Sequence, residues 1–460
     1  MVISYTLHSP HHQGETTISD LMEDDKVGKF LNPYFNKAIR SATQLLNAHP
    51  NAVPKFPRGS MDRKNPSMLI LLACAAAIFW PGSFIFGLPG VLRQYWQQSY
   101  EVSGGSVGGV VFFVLTGATC CMYLSGRLQE KVGPGKLAAV GALLGGGSTF
   151  WLGQSANMTA VYVWAFLTGS ASAFVYLPGL TAVQQWYPLR RGLVAGFFNM
   201  SFGISAAVMS PIFTWFLSKW GYETLTTVAG ITALVIGLAA SIFIRFPDVR
   251  LQTGGSAAVL QPGTSWSVQE ALKSREFWCL WLTWVFAGAA GASMIVLATG
   301  FGLANGLSLA QAVFILTAFN LTNGLGRLIS GYFSDRLGRP QTMAFSFAAA
   351  GLAYGLLPHL AALWLWIFLA AIIGYAFGTL FAVSGPLAGD CFGMTHFGAI
   401  FGLIFTAYGF VSGPLGPWLS GIILDATGGN YFLVFSYLGL MYLAAAGLIL
   451  FVKPWRACRL

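Results

Sequence analysis

The sequence predicts an all-α integral membrane protein: twelve transmembrane helices in two six-helix halves, related by a parallel pseudo-repeat around a central cavity. Three observations predict it. Of 460 residues, 55% are hydrophobic and only 9% charged, where a soluble domain carries about 25% charge. The apolar residues fall into twelve runs, each near the ~20 residues a hydrocarbon core requires. Two patterns of glycine, charge and proline in the first half also recur in the second at nearly one offset.

The elements follow in order. Residues 1–66 lack an apolar period and carry Pro, His and mixed charge; they read as a mostly disordered cytoplasmic tail with a short helix near 35–46. Its His8-Ser-Pro-His11-His12 tract reads as solvated rather than as a metal site, and Met61, just before the first span, reads as an alternative start. The spans are expected at 67–92, 104–126, 137–155, 160–182, 192–217, 224–245, 277–301, 309–331, 341–358, 362–387, 398–424 and 431–452. With both termini cytoplasmic, the inward connections carry nearly all the cations, from Arg127 and Lys131 through Arg339, and the outward ones only Arg93 and Lys219. That asymmetry obeys the positive-inside rule and accounts for the net charge of +10 without nucleic acid. The division is a first half at 67–246, a linker at 247–276, a second half at 277–453 and a short cytoplasmic end at 454–460; 266–276 reads as an amphipathic helix on the inner membrane surface. The six cysteines lack metal-ligand spacing and read as small packing residues.

The repeat is specific. Gly126, Glu130, Lys131 and Gly133 return 205 residues later as Gly331, Asp335, Arg336 and Gly338, and Gly192, Gly196, Gly203 and Pro211 return 206 residues later as Gly398, Gly402, Gly409 and Pro417. Parallel repeats with a site between them at mid-membrane describe a rocker-type transporter. Gly126 and Gly331 admit a neighbouring helix. Glu130 and Asp335 are placed to cap a helix or pair with a cation across the halves, so Gly126, Glu130, Lys131, Gly331, Asp335, Arg336 and Arg339 form the expected gate.

These paired turns resemble the signature loop of the major facilitator superfamily, and the resemblance spans residues 67–453. Within it the chain is similar to the oxalate/formate antiporter and monocarboxylate transporter families. The residues carrying that likeness are Asn323-Gly-Leu-Gly-Arg327, Trp186-Tyr-Pro-Leu-Arg-Arg-Gly192 and Phe397-Gly-Ala-Ile-Phe-Gly-Leu-Ile-Phe-Thr-Ala-Tyr-Gly409. The resemblance implies that Arg327 binds a substrate carboxylate. Two features of those families are missing. The region of the oxalate transporter's second cation holds Ala407, Tyr408, Gly409 and Phe410, and where the monocarboxylate transporters carry an Asp before the Arg and a Lys in helix 1, this chain has Asn323 and no Lys.

The residues themselves agree in part. Asn320, Asn323, Gly324, Arg327 and Gly331 share one helical face. A guanidinium and two amides cannot face lipid, so the face lines a cavity or, alternatively, Arg327 snorkels to the nearby helix end or braces the gate. Arg presents a planar fork suited to a carboxylate. Further cavity candidates are Trp80, Ser83, Tyr176, Gln185, Asn199, Ser205, Trp284, Tyr375, Thr379, Tyr408 and Ser412, of which Tyr375, Tyr408 and Trp80 join Arg327, Asn323 and Asn320 as expected substrate contacts. Prolines 81, 89, 178, 211, 414 and 417 are expected to break or bend the first, fourth, fifth and eleventh spans.

The expected function is secondary active transport of a small organic anion by alternating access. One cavity cation suits a monocarboxylate, and the lack of Asp or Glu at mid-depth favours exchange or uniport over proton symport. A proton-coupled or neutral-solute carrier is the alternative, and a transporter-like sensor the competitor from another class. No phosphate loop, metal-spaced His/Cys set or nucleophile with a base supports an enzyme, and no cofactor is expected. Small anion and bilayer are the expected partners, with the chain acting as a monomer in a cell or inner membrane.

Overall fold

The structure, a computed structural model, describes residues 66–102, 104–155, 157–247 and 265–454. The tail at 1–65, its histidine tract and helix, most of the linker and the end at 455–460 lie outside the described residues. The described chain is helical throughout. In order run α1 (Pro66–Phe86), α2 (Leu88–Ser99), α3 (Gly104–Val132), α4 (Pro134–Leu152), α5 (Met158–Trp186), α6 (Arg191–Ser241), α7 (Val268–Lys273), α8 (Arg275–Ala304), α9 (Leu309–Leu337), α10 (Arg339–Leu356), α11 (Leu363–Phe392), α12 (Phe397–Thr406), α13 (Leu419–Ala426) and α14 (Tyr431–Leu450).

Nine helical stretches, among the described residues, are long and apolar enough to cross a membrane, α1 counted together with α2 and α12 together with α13. The difference from twelve has identifiable causes. α6 is one element of 51 residues whose only break is Gly221, at φ 79 and ψ −178; it covers the two spans expected at 192–217 and 224–245, joined by a single residue. α4 and α10, where two more spans were expected, have 19 and 18 residues and are not among the nine.

The breaks depend on more than proline. Pro178 and Pro211 sit inside continuous helices. α1 stops at Gly87 and α2 restarts with Pro89 in its first turn, where a missing N–H costs nothing. Between α12 and α13 the backbone winds wider, through π-helical turns at Ala407–Ser412 and Pro414–Trp418. Such turns insert residues without ending a helix and cluster at functional sites. The amphipathic helix is shorter than the sequence suggests. α7 has six residues, closed by a Ser267–Glu270 capping box, and ends at Ser274, whose hydroxyl caps α8 instead. Asn157 caps α5 through its side chain.

The repeat survives as geometry. Gly133 and Gly338 each end one helix and start the next at φ 91 and φ 95, a conformation open chiefly to glycine. A Cβ on Gly126 would collide with the Gly398 carbonyl, and one on Gly331 with the Gly192 carbonyl. α3 therefore crosses α12 in one half-to-half contact, and α9 crosses α6 in its pseudo-symmetric counterpart. Every hydrogen bond or ion pair between the halves, among the described residues, lies at these crossings, at the turns beside them, or at Arg327. The molecule is closed at the end that carries the repeated turns.

Candidate substrate site and gate

Arg327 lies on α9, ten residues before its last residue Leu337, roughly 15 Å along the axis. The helix outruns the span expected to end at 331, so Arg327 does not snorkel to a nearby end; it is 1% exposed. Its neighbours come from both halves. Nη1 donates to the Asn199 carbonyl of α6 at 3.1 Å, while Nε and Nη2 donate to Asn323 Oδ1 at 3.4 and 3.3 Å. The guanidinium carbon lies 4.6 Å from the Phe381 ring centre and 5.9 Å from that of Phe202.

Glycines make the room. A Cβ on Gly203 would stand 3.3 Å from the guanidinium carbon, and one on Gly378 3.3 Å from Arg327 Cγ. Asn199 is itself fixed, accepting from the Tyr176 hydroxyl at 2.8 Å and donating to Ala195 O at 2.8 Å. Around Phe381 stand Trp284 at 5.1 Å and Tyr408 at 5.5 Å, with Phe405 5.6 Å from Tyr408 and 6.2 Å from Tyr176. Arg327 takes part in none of the ion pairs among the described residues. A guanidinium has five N–H donors, and three neutral-oxygen contacts neither use them all nor balance the charge.

The expected contacts divide. Asn323 and Arg327 are together, and Tyr408 joins them through the aromatic shell. Tyr375 is half-buried and packs on Gly326. Asn320 is exposed, a turn and more from the guanidinium. Trp80 is not brought to Arg327: it packs on Phe79 and Phe84 and faces Ala138, Gly141 and Val175 inside the first half. Phe202 and Phe381 escaped the sequence reading because 37 phenylalanines give no contrast. Asn199 contributes through a backbone carbonyl, which no side-chain pattern can signal.

The turns differ in detail. Asp335 accepts from the amides of Gly192 and Leu193, both at 2.9 Å, at the start of α6. Arg339 bridges Asp335 at 3.1 Å and also pairs with Asp390, which Arg191 of the first half meets at 3.4 Å. In the first copy, Glu130 meets His396 across the halves at 3.3 Å. Arg336 is exposed and lies over the Tyr332 ring at 4.3 Å. Lys131 is exposed and absent from the described ion pairs. α11 extends to Phe392 and carries Asp390 into the cluster.

A family model described as Major Facilitator Superfamily matches residues 69–309 and again 289–456. The chain belongs to the Major Facilitator Superfamily. Its likeness to superfamily members is broad. The oxalate:formate antiporter of Oxalobacter formigenes is 26% identical over 285 residues, 61% of this chain and 67% of that protein. Monocarboxylate transporter 12 of Rattus norvegicus is 22% identical over 399 residues, 78% of this chain and 79% of that one. The E. coli fucose:proton symporter matches in fold with a TM-score of 0.63 at 15% identity, over 85% of this chain and 100% of that one. As a superfamily member this multi-pass membrane protein is a secondary transporter and not an enzyme.

Proposed function

We propose that this transporter carries a small organic anion, a monocarboxylate in preference to a dicarboxylate, by exchange or uniport. The observation that carries the reading is the Arg327 guanidinium, 1% exposed and without a carboxylate partner among the described ion pairs. An unpaired buried charge is among the costliest features a protein can hold. A substrate carboxylate would take the guanidinium's forked donors and supply the missing charge. Among the described residues no second cation, which a dianion would call for, stands with Arg327; Tyr408 and the aromatic rings stand there instead. The names of the two relatives, an oxalate:formate antiporter and a monocarboxylate transporter, are consistent with a carboxylate. The turn clusters would act as the gate, with both termini in the cytoplasm and the chain working as a monomer.

The test is a thermal-shift screen of small mono- and dicarboxylates on the purified protein. Monocarboxylates are expected to stabilise the wild type and not Arg327→Ala, with Arg327→Lys intermediate because an ammonium keeps the charge but loses the fork. A preference for dianions at neutral pH would overturn the reading. Proteoliposomes then separate the modes: uptake that needs an internal anion is exchange. Asn323→Asp places a titratable group beside Arg327 and should make uptake pH-dependent, whereas strong acid stimulation of the wild type would contradict exchange or uniport.

A further inference from the structure

Where α3 ends, α4 begins and α6 finishes, the surface opens into a groove of about 420 Å³ lined by Val132, Gly135, Lys136, Ala139, Ile242 and Arg245 among others. Neither Arg327 nor the Asp335–Arg339–Asp390 cluster lines it, although Val132 directly follows Lys131 of the first turn. Two cations flank it, Lys136 and Arg245, both exposed, and no carboxylate lines it. Its walls are apolar, and Ile242 beside it is 77% exposed, an exposure that only hydrocarbon would tolerate in so large a patch with Val132 and Phe243. The groove sits at helix ends, where apolar spans give way to charge, the depth of lipid phosphates.

The position is built rather than accidental. Ser241 O and Ile244 O lie close against Gly135, so that a Cβ there would stand 2.7 Å and 2.6 Å from them. The Trp186 indole N–H donates to Arg245 O at 2.8 Å, fixing the strand of chain that carries the arginine. The internal repeat supplies a control: the positions 205 and 206 residues on, which share the fold, are Gln341 and Phe451. The repeated architecture therefore does not itself demand cations here.

We propose that this groove binds the headgroup of an anionic phospholipid, its phosphate between Lys136 and Arg245 and its acyl chains along Val132, Ile242 and Phe243. A neutral apolar ligand would leave both cations idle, and a soluble anion would leave the apolar wall unused. An anionic amphiphile uses both.

The test compares the thermal midpoint of the purified full chain with added phosphatidylglycerol, phosphatidylcholine or glycerol 3-phosphate. Four proteins are needed: wild type, K136Q/R245Q, a control K273Q/K453Q that removes the same charge elsewhere, and Ala139→Trp, which fills the groove and keeps both cations. Phosphatidylglycerol should stabilise the wild type and the control more than phosphatidylcholine does. That excess should fall by roughly half or more in K136Q/R245Q and in Ala139→Trp, and glycerol 3-phosphate should not reproduce it. An excess equal in wild type and K136Q/R245Q, an equal loss in the control, or full reproduction by glycerol 3-phosphate would each overturn the proposal. The site does not depend on what the transporter carries.

Discussion

Gly203 and Gly378 close on the Arg327 side chain from two helices, and each leaves slightly less room than a methyl group needs. Gly203→Ala places a Cβ 3.3 Å from the guanidinium carbon and Nε, so the fork must give by a few tenths of an ångström. We expect monocarboxylate affinity to fall several-fold with only a modest change in the thermal midpoint. Gly147→Ala is the contrasting case: a Cβ there meets nothing within 4 Å, and a helical Gly→Ala change should stabilise by about 0.5–1 kcal/mol. Tyr176→Phe removes the donor to Asn199 Oδ1 and leaves a buried acceptor unpaired, a cost of about 1–3 kcal/mol. Denaturation in detergent checks both signs. Arg327 itself was legible in the sequence, because a charge inside an apolar run stands out. Asn323, one turn back on the same face, was legible with it; the other partners were not, since a backbone carbonyl and two phenylalanines look like any others until the halves meet.

At the scale of elements, Asp335 caps α6 from a different half of the molecule. A two-amide cap is worth about 0.5–2 kcal/mol, and on the proposed gating that energy belongs only to the closed state. Asp335→Asn should raise the labelling rate of a cysteine placed at Ser334, which is 1% exposed, measured against the same cysteine in the parent chain. Glu270 shows the same chemistry on a solvent-facing element. The Ser267 amide and hydroxyl hold its carboxyl below the ordinary carboxylate range. A lowered value in the folded state means that the cap contributes above that range and is lost as pH falls through the lowered value. Hydrogen exchange at Ala271 should therefore quicken, relative to intrinsic rates, as the medium is acidified into and below the carboxylate range, and Glu270→Gln should flatten the response. Helix existence was legible because lipid admits little else. The six-residue length of α7 was not, because Ser274 serves α8 rather than α7, and an apolar period does not say which helix a serine will cap. The π turns after α12 were equally hidden, since their register depends on what packs beside them.

For the whole molecule, the offsets of 205 and 206 residues foretold that both halves would carry the same devices, and the Gly126–Gly398 and Gly192–Gly331 crossings are those devices. What the offsets could not foretell is that matched turns would find unmatched partners, an amide pair and an arginine network on one side, a lone histidine on the other. Removing the richer side should therefore cost more than removing the poorer one: Asp335→Asn should slow transport more than Glu130→Gln in the same proteoliposome assay.

The two crossings also bear on how transport responds to temperature. Where they touch, backbone lies on backbone, but the same parting separates Phe202 and Tyr176 of the first half from Phe381 and Phe405 of the second. A step that exposes apolar surface carries a heat-capacity change. Its rate should then follow a curved Arrhenius line across the physiological range.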